Sequence, residues 1–142
     1  MPETIDPSGA RILIVDDQPW NVRLLEHTLR RGGYFEIAST NDPRAVAAMH
    51  LENRYELILL DLQMPGMSGI EVMRQLREME GDRVPILVIS ADPSQMVTAL
   101  EAGGNSFLSK PFVLSEVLAR VGLMLKKPAS PDQGEPAPLE TT

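Results

Sequence analysis

The sequence predicts a doubly wound parallel α/β domain. Two observations carry that prediction. Five short apolar runs recur along the chain, and each is followed by a segment of helical periodicity with its own start or stop signals. Three of the runs are apolar throughout, the pattern of parallel strands covered on both faces rather than of a sheet with one wet side.

The elements follow in order. "RILIV" (11–15) is the first strand, and Pro19, after polar Gln18, falls in the first turn of a helix, where a missing N–H breaks no bond. Gly32-Gly33 ends that helix, because a left-handed terminal residue is least costly for glycine. "YFEIA" (34–38) is the second strand, less uniformly apolar, and Pro43 opens the second helix. "LILL" (57–60) is the third strand, followed by Ser68-Gly-Ile-Glu71, whose spacing is that of a capping box. "VPILVI" (84–89) is the fourth. Asp92-Pro-Ser-Gln95 repeats the box spacing with Pro93 in the first turn, and Gly103-Gly104 ends the fourth helix. "SFLS" (106–109) is the fifth strand. In "SEVLARVGLMLKK" (115–127) a fifth helix places Leu114, Val117, Leu118, Val121 and Leu125 on one face and Leu123 almost opposite.

Composition bounds what such a domain does. The 142 residues, 43% of them hydrophobic, suffice for one well-cored domain. A net charge of −7, with no basic cluster beyond Lys126-Lys127, opposes binding to a phosphate backbone, so no nucleic-acid partner is expected for this chain alone. The absence of cysteine excludes disulfides, thiol catalysis and thiolate metal sites. Residues 1–10 are polar and acidic, unlike a secretory leader, and no apolar run approaches membrane-spanning length. The expectation is a soluble, cytoplasmic protein without membrane contact: a flexible N-terminus (1–10), one domain (11–127), and a disordered Pro-rich acidic tail (128–142).

In doubly wound folds ligands sit beyond the carboxyl ends of the strands, where strand order reverses. The first strand runs into Asp16-Asp17, the third into Asp61, the fourth into Ser90-Ala91 and the fifth into Ser109-Lys110-Pro111. If the first and third strands are neighbours, three carboxylates meet in one crevice and repel each other unless a cation sits among them. Mg²⁺ suits such a site, since it takes oxygen ligands and is held by one or two carboxylates plus phosphate oxygens. Lys110 adds a mobile positive charge and Ser90 a hydroxyl donor. Together they describe a pocket for a phosphoryl group beside a carboxylate nucleophile. Taken singly, Asp16-Asp17 reads as a helix-capping pair and Lys110 as a surface lysine; the combination gives them chemistry.

Four motifs in this order, "ILIVDDQP", "LILLDLQMPGMSG", "VISA" and "FLSKPF", resemble the receiver domain of two-component response regulators over about residues 11–127. The resemblance implies a flavodoxin-like fold with strand order 2-1-3-4-5 and a signalling switch rather than a metabolic enzyme. It implies that Asp61 takes a phosphoryl group from a sensor histidine kinase, a phosphotransfer protein or a small phosphodonor. Asp17 and Asp61 would bind Mg²⁺ directly, with the backbone carbonyl of Gln63 as third protein ligand and Asp16 acting through water; Lys110 would pair with the phosphoryl oxygens. Ser90 and Phe107 would form the family's coupled hydroxyl-aromatic switch, acting on the fourth helix, fifth strand and fifth helix. Phe107 stands where a tyrosine is frequent, so the signal is carried by apolar packing. Ser68, Gln63 and Val113 also depart from common residues; the first keeps a capping role, the second acts through its backbone, and the third leaves the fifth helix without a polar cap. The Lys110-Pro111 bond is cis in the family.

Since that family uses the fifth helix for contacts, Ala119 and Leu123 are assigned to a homodimer or partner surface. Trp20, the only tryptophan, is expected half-buried at the start of the first helix or bordering the pocket. His27 and His50 lack acidic or histidine neighbours at ligand spacing and are read as structural or surface residues, and the eight methionines as core filler. The 15 residues after Lys127 are too few for an output domain, so the expectation is a stand-alone receiver, or else a fragment of a longer regulator. The alternative function is a haloacid-dehalogenase-like, Mg²⁺-dependent phosphatase. That family needs a second acid two residues after the nucleophile, where this chain has Gln63. A flavin or nucleotide module is weaker still, because "DDQPW" faces phosphate with carboxylates where a Gly-rich loop is required.

Overall fold

The computed structural model describes residues 9–79 and 83–126; the expected N-terminal segment up to residue 8 and the expected tail lie outside them. Element order is β1 (Arg11–Val15), α1 (Pro19–Arg31), β2 (Glu36–Thr40), a 3-10 turn (Pro43–Ala45), α2 (Val46–Asn53), β3 (Leu57–Asp61), α3 (Gly69–Glu78), β4 (Ile86–Ser90), a 3-10 turn (Pro93–Gln95), α4 (Met96–Ala102), β5 (Ser106–Ser109) and α5 (Leu114–Lys126). The strands form one sheet in the order β2-β1-β3-β4-β5, and all four pairings are parallel. No helix among the described residues is long and apolar enough to cross a membrane.

Strand periodicity explains the unbroken apolar runs. Ile12, Ile14, Leu57, Leu59, Leu87 and Ile89 point to one side, against Leu25 and Leu29 of α1 and Val117 and Val121 of α5. Leu13, Val15, Ile58, Leu60, Ile86 and Val88 point to the other, against Val46 of α2, Val72, Met73 and Leu76 of α3 and Ala99 of α4. With helices on both faces no position of β3 or β4 meets water, so polar alternation has no place there. Each fully buried Leu or Ile of these layers stabilises the fold by about 1.5–3 kcal/mol relative to exposure.

Three local expectations are corrected. The second strand is shifted two residues towards the C-terminus: Gly33 takes φ +97°, the Tyr34 amide closes back onto the Leu29 carbonyl, and only after that turn does pairing with β1 begin. Tyr34 is buried in the α1–α5 layer while Phe35 is exposed. Asp92 caps its 3-10 turn by accepting from the Ser94 amide, but the Gln95 side chain does not complete a box; it faces Ser90. Leu114, the first residue of α5, is exposed, and Val117 and Val121 carry the burial expected of that face. The box at Ser68 and Glu71 forms in full, the Ser68 hydroxyl accepting from the Glu71 amide and the Glu71 carboxylate from the Ser68 amide. At Val113, where the polar cap is missing, the carbonyl accepts from the amides of both Glu116 and Val117.

Candidate functional site

Parallel strands deliver their carboxyl ends to one edge of the sheet. The reversal of strand order lies between β1, whose chain returns to β2 on one side, and β3, which leads to β4 on the other. At that point Val15 pairs with Leu60, so Asp16 and Asp61 emerge side by side. Asp16 and Asp61 are 3% and 4% exposed, buried far beyond what carboxylates tolerate without partners.

Local backbone geometry fixes both. The Gln18 amide donates to Asp16 Oδ1 at 2.9 Å and the Gln63 amide to Asp61 Oδ1 at 3.1 Å, so each carboxylate is held by the chain two residues ahead and keeps Oδ2 free for other partners. Lys110, one residue beyond β5, places Nζ 3.4 Å from Asp61 Oδ2 and 3.9 Å from Asp16 Oδ2. It arrives there through the Lys110 amide, which donates to the Ser90 carbonyl, and through a cis Lys110-Pro111 bond. Asp17 completes the cluster: the ligand oxygens of Asp16, Asp17 and Asp61 all lie within 4.8 Å of one another. A cleft of about 430 Å³ opens beside Asp16 and Asp17, walled by Val22 and Arg23 of α1 and by Ser39, Thr40 and Asn41.

One lysine cannot balance three carboxylates. Burial is the main cause that pushes the Asp16 carboxyl above its ordinary range; the Gln18 amide and Lys110 oppose it, while Asp61 and Asp17 add to it. A divalent cation among these oxygens answers the excess negative charge that Lys110 alone leaves. A hard cation such as Mg²⁺ fits an all-oxygen donor set with solvent access on one side.

Ser90 closes the far side of the site at the end of β4. Its side chain is fully buried; its oxygen accepts from the Asp92 amide at 3.1 Å and its proton goes to Gln95 Oε1 at 3.4 Å. Phe107 on β5, opposite Val88 of β4, is partly buried against the α2–α4 layer, and its carbonyl accepts from Arg120 of α5. Thus Asp16, Asp17, Asp61, Lys110 and the Gln63 backbone converge, with Ser90 at the end of the adjacent strand β4 and Phe107 farther off in β5, two residues before the Ser109 that pairs with Ser90. The sequence did not reveal Gln95 as a neighbour of Ser90. A glutamine three residues after an Asp cap serves a box equally well, and linear spacing does not show which way it turns.

Other singled-out residues lie elsewhere. Ala119 and Leu123 are exposed on α5, Leu123 at 70%. Trp20 is 66% exposed, correcting the half-buried expectation. His27 is exposed, and His50 is buried with Nδ1 accepting from the Tyr55 amide, a structural role. Met73 is fully buried and Met64 nearly so, whereas Met96 is 44% exposed, so not all methionines fill the core.

Comparison with known proteins gives a consistent result. The response regulator receiver domain family matches residues 12–122. The transcriptional regulatory protein PrrA of Mycobacterium tuberculosis is 42% identical over 125 residues, covering 87% of this chain and 53% of that protein. ResD of Bacillus subtilis is 40% identical over 117 residues, covering 82% of this chain and 48% of that protein. The chain therefore spans about half the length of the curated relatives it matches. Among solved structures, the receiver domain of a Pseudomonas aeruginosa sensor histidine kinase, with a magnesium ion coordinated in its active-site cleft, superposes with a TM-score of 0.76 at 31% identity, covering 83% of this chain and 98% of that one. The Vibrio cholerae chemotaxis protein CheY4 superposes with a TM-score of 0.74 at 28% identity, covering 82% and 98%. These relatives are regulators and receiver domains, so the dehalogenase-like phosphatase alternative gains no support. With five parallel strands in the order 2-1-3-4-5 and a strand-end acidic cluster faced by a lysine, the chain belongs to the receiver domain family of two-component response regulators.

Proposed function

We propose that Asp61 is the phosphoacceptor of this receiver. The observation that carries the reading is the placement of Asp61, buried at the end of β3, with Lys110 Nζ 3.4 Å from Oδ2 and the oxygens of Asp16 and Asp17 within 4.8 Å. An Asp61 oxygen attacks the phosphorus of a phosphohistidine on a kinase or phosphotransfer protein, or of a small acyl phosphate. The P–O bond to Asp61 forms as the bond to the leaving nitrogen or oxygen breaks, and the leaving group takes the electron pair. Asp17, Asp61 and the Gln63 carbonyl would hold Mg²⁺, with Asp16 acting through water. The bound ion supplies positive charge that screens the carboxylate from the incoming phosphoryl group. Lys110 shifts from Asp61 to the phosphoryl oxygens, and Ser90 donates its proton to one of them. The space Ser90 leaves is open to Phe107, so a local charge event biases the packing of α4, β5 and α5.

The same reading makes the chain a switch whose only chemistry is its own phosphorylation and dephosphorylation. It also gives the chain one folded domain over 11–127, flanked by polar segments, and a place in the cytoplasm. The exposed Ala119 and Leu123, with Met96, Val97 and Leu100 exposed on α4, support a homodimer or partner contact on the α4-β5-α5 face. Sedimentation with and without beryllofluoride tests the dimer; a monomer in both states across concentration refutes it.

The phosphoacceptor assignment is tested by intact mass after incubation with acetyl phosphate and Mg²⁺. One labile phosphoryl group is expected on the wild type and none on Asp61→Asn or in chelator. Retention of the added mass by Asp61→Asn would overturn the assignment.

A further inference from the structure

The Ser90 hydroxyl carries one proton, and in this structure it is directed at Gln95. Its oxygen accepts from the Asp92 amide at 3.1 Å, which leaves the O–H to point at Gln95 Oε1, 3.4 Å away. Neither bond runs towards Asp61. Ser90 is fully buried and Gln95 is half-buried, so water does not freely replace Gln95 as acceptor. At 3.4 Å the bond is long and weak by hydroxyl standards, hence breakable. Gln95 is also the residue from which α4 departs: it ends the 3-10 turn capped by Asp92 and precedes Met96.

We propose that Gln95 is a positioning residue that competes with the phosphoryl group for the Ser90 proton, and so sets the balance between the resting and phosphorylated conformations. This rests on Asp61 being the phosphoacceptor. A hydroxyl that donates to a phosphoryl oxygen withdraws the same proton from Gln95, so the two bonds exclude each other. Gln95 Oε1 loses its partner at the moment the site is filled, and the start of α4 is the first element released. By reciprocity, whatever strengthens the Gln95 bond weakens ligand binding at Asp61, and whatever removes it strengthens that binding.

The test is a double-mutant cycle read by calorimetric titration of Mg²⁺-loaded protein with beryllofluoride, a phosphoryl mimic. Gln95→Ala removes the competing acceptor and is expected to tighten beryllofluoride binding by about two- to fivefold, the scale of one weak hydrogen bond. Gln95→Glu offers a stronger acceptor and is expected to weaken it. Mg²⁺ affinity measured alone stays as in the wild type for both. In a Ser90→Ala background both effects disappear, because no proton remains to compete for. A Gln95→Ala protein that binds no tighter than wild type, or an effect of equal size with Ser90→Ala, overturns the proposal and assigns Gln95 a purely structural role at the turn. A wild type that takes no beryllofluoride in Mg²⁺ is a different result: it refutes the phosphoacceptor reading, and this inference with it.

Discussion

Replacing Asp16 by Asn should stabilise the metal-free protein while weakening its response to Mg²⁺. At 4.8 Å, the outer limit of the cluster, repulsion of Asp16 by Asp61 and by Asp17 is about 3.5 kcal/mol per pair at an effective dielectric of 20. Attraction to Lys110 Nζ at 3.9 Å returns about 4 kcal/mol on the same scale. The balance is about 3 kcal/mol against the Asp16 charge, reduced to roughly half by water entering the cleft. The asparagine oxygen still accepts from the Gln18 amide, though the loss of charge weakens that bond by about 0.5 kcal/mol. A net gain of about 1 kcal/mol follows, worth about 4 °C in Tm for a domain of this size. The pH dependence has a definite sign. The folded state holds the Asp16 proton more tightly than the unfolded chain, so in chelator wild-type stability falls as pH rises from the ordinary value of 3.8 through the raised folded one. Asp16→Asn loses that part of the fall. The assay is thermal melting at pH 5 and pH 7, in chelator and in millimolar Mg²⁺. The wild type should gain more from the ion, as binding to the folded state alone requires. A variant that melts below wild type in chelator at pH 7, or that gains as much from Mg²⁺, refutes the charge-repulsion reasoning.

Two further substitutions probe the support of the site. Lys110→Ala leaves the buried Asp61 and Asp16 carboxylates without their cation, so Tm in chelator should fall by the equivalent of about 1–3 kcal/mol, with Mg²⁺ restoring part of it; an unchanged melt would show that the ion pair carries no weight. Gly69→Ala places a Cβ 2.8 Å from Leu62 Cα and 2.9 Å from the Asp61 carbonyl oxygen. Backbone must shift to admit it, so a loss of about 1–3 kcal/mol is expected in melting, together with weaker Mg²⁺ binding as Asp61 is displaced; a variant matching wild type in both would show that the β3–α3 turn is compliant.

Much of this molecule was legible in the linear chain. Apolar runs such as "LILL" and "VPILVI" can be satisfied only between two helical layers, and Gly33 and Gly103 mark helix ends where a positive φ is needed. Asp16, Asp17, Asp61 and Lys110 were identifiable because strand ends in a parallel sheet share one edge, so residues dozens of positions apart inherit a common location from topology. Where sequence reasoning fell short, the competing interaction was tertiary or equally well spaced. The boundary of β2 depends on how the α1 turn closes through the Tyr34 amide, Trp20 sits at a helix start and is 66% exposed, and the Gln95 side chain chose between a helix cap and the serine that ends the preceding strand. The layer architecture and the inventory of charges follow from the linear chain, because periodicity and strand-end chemistry are local properties. That Asp16 and Asp61 are buried beside Lys110 emerged from the folded chain alone, because distances of 3–4 Å between residues at the ends of different strands depend on register and rotamer; that the Ser90 hydroxyl faces Gln95, five residues on, depends likewise on a rotamer that spacing does not encode.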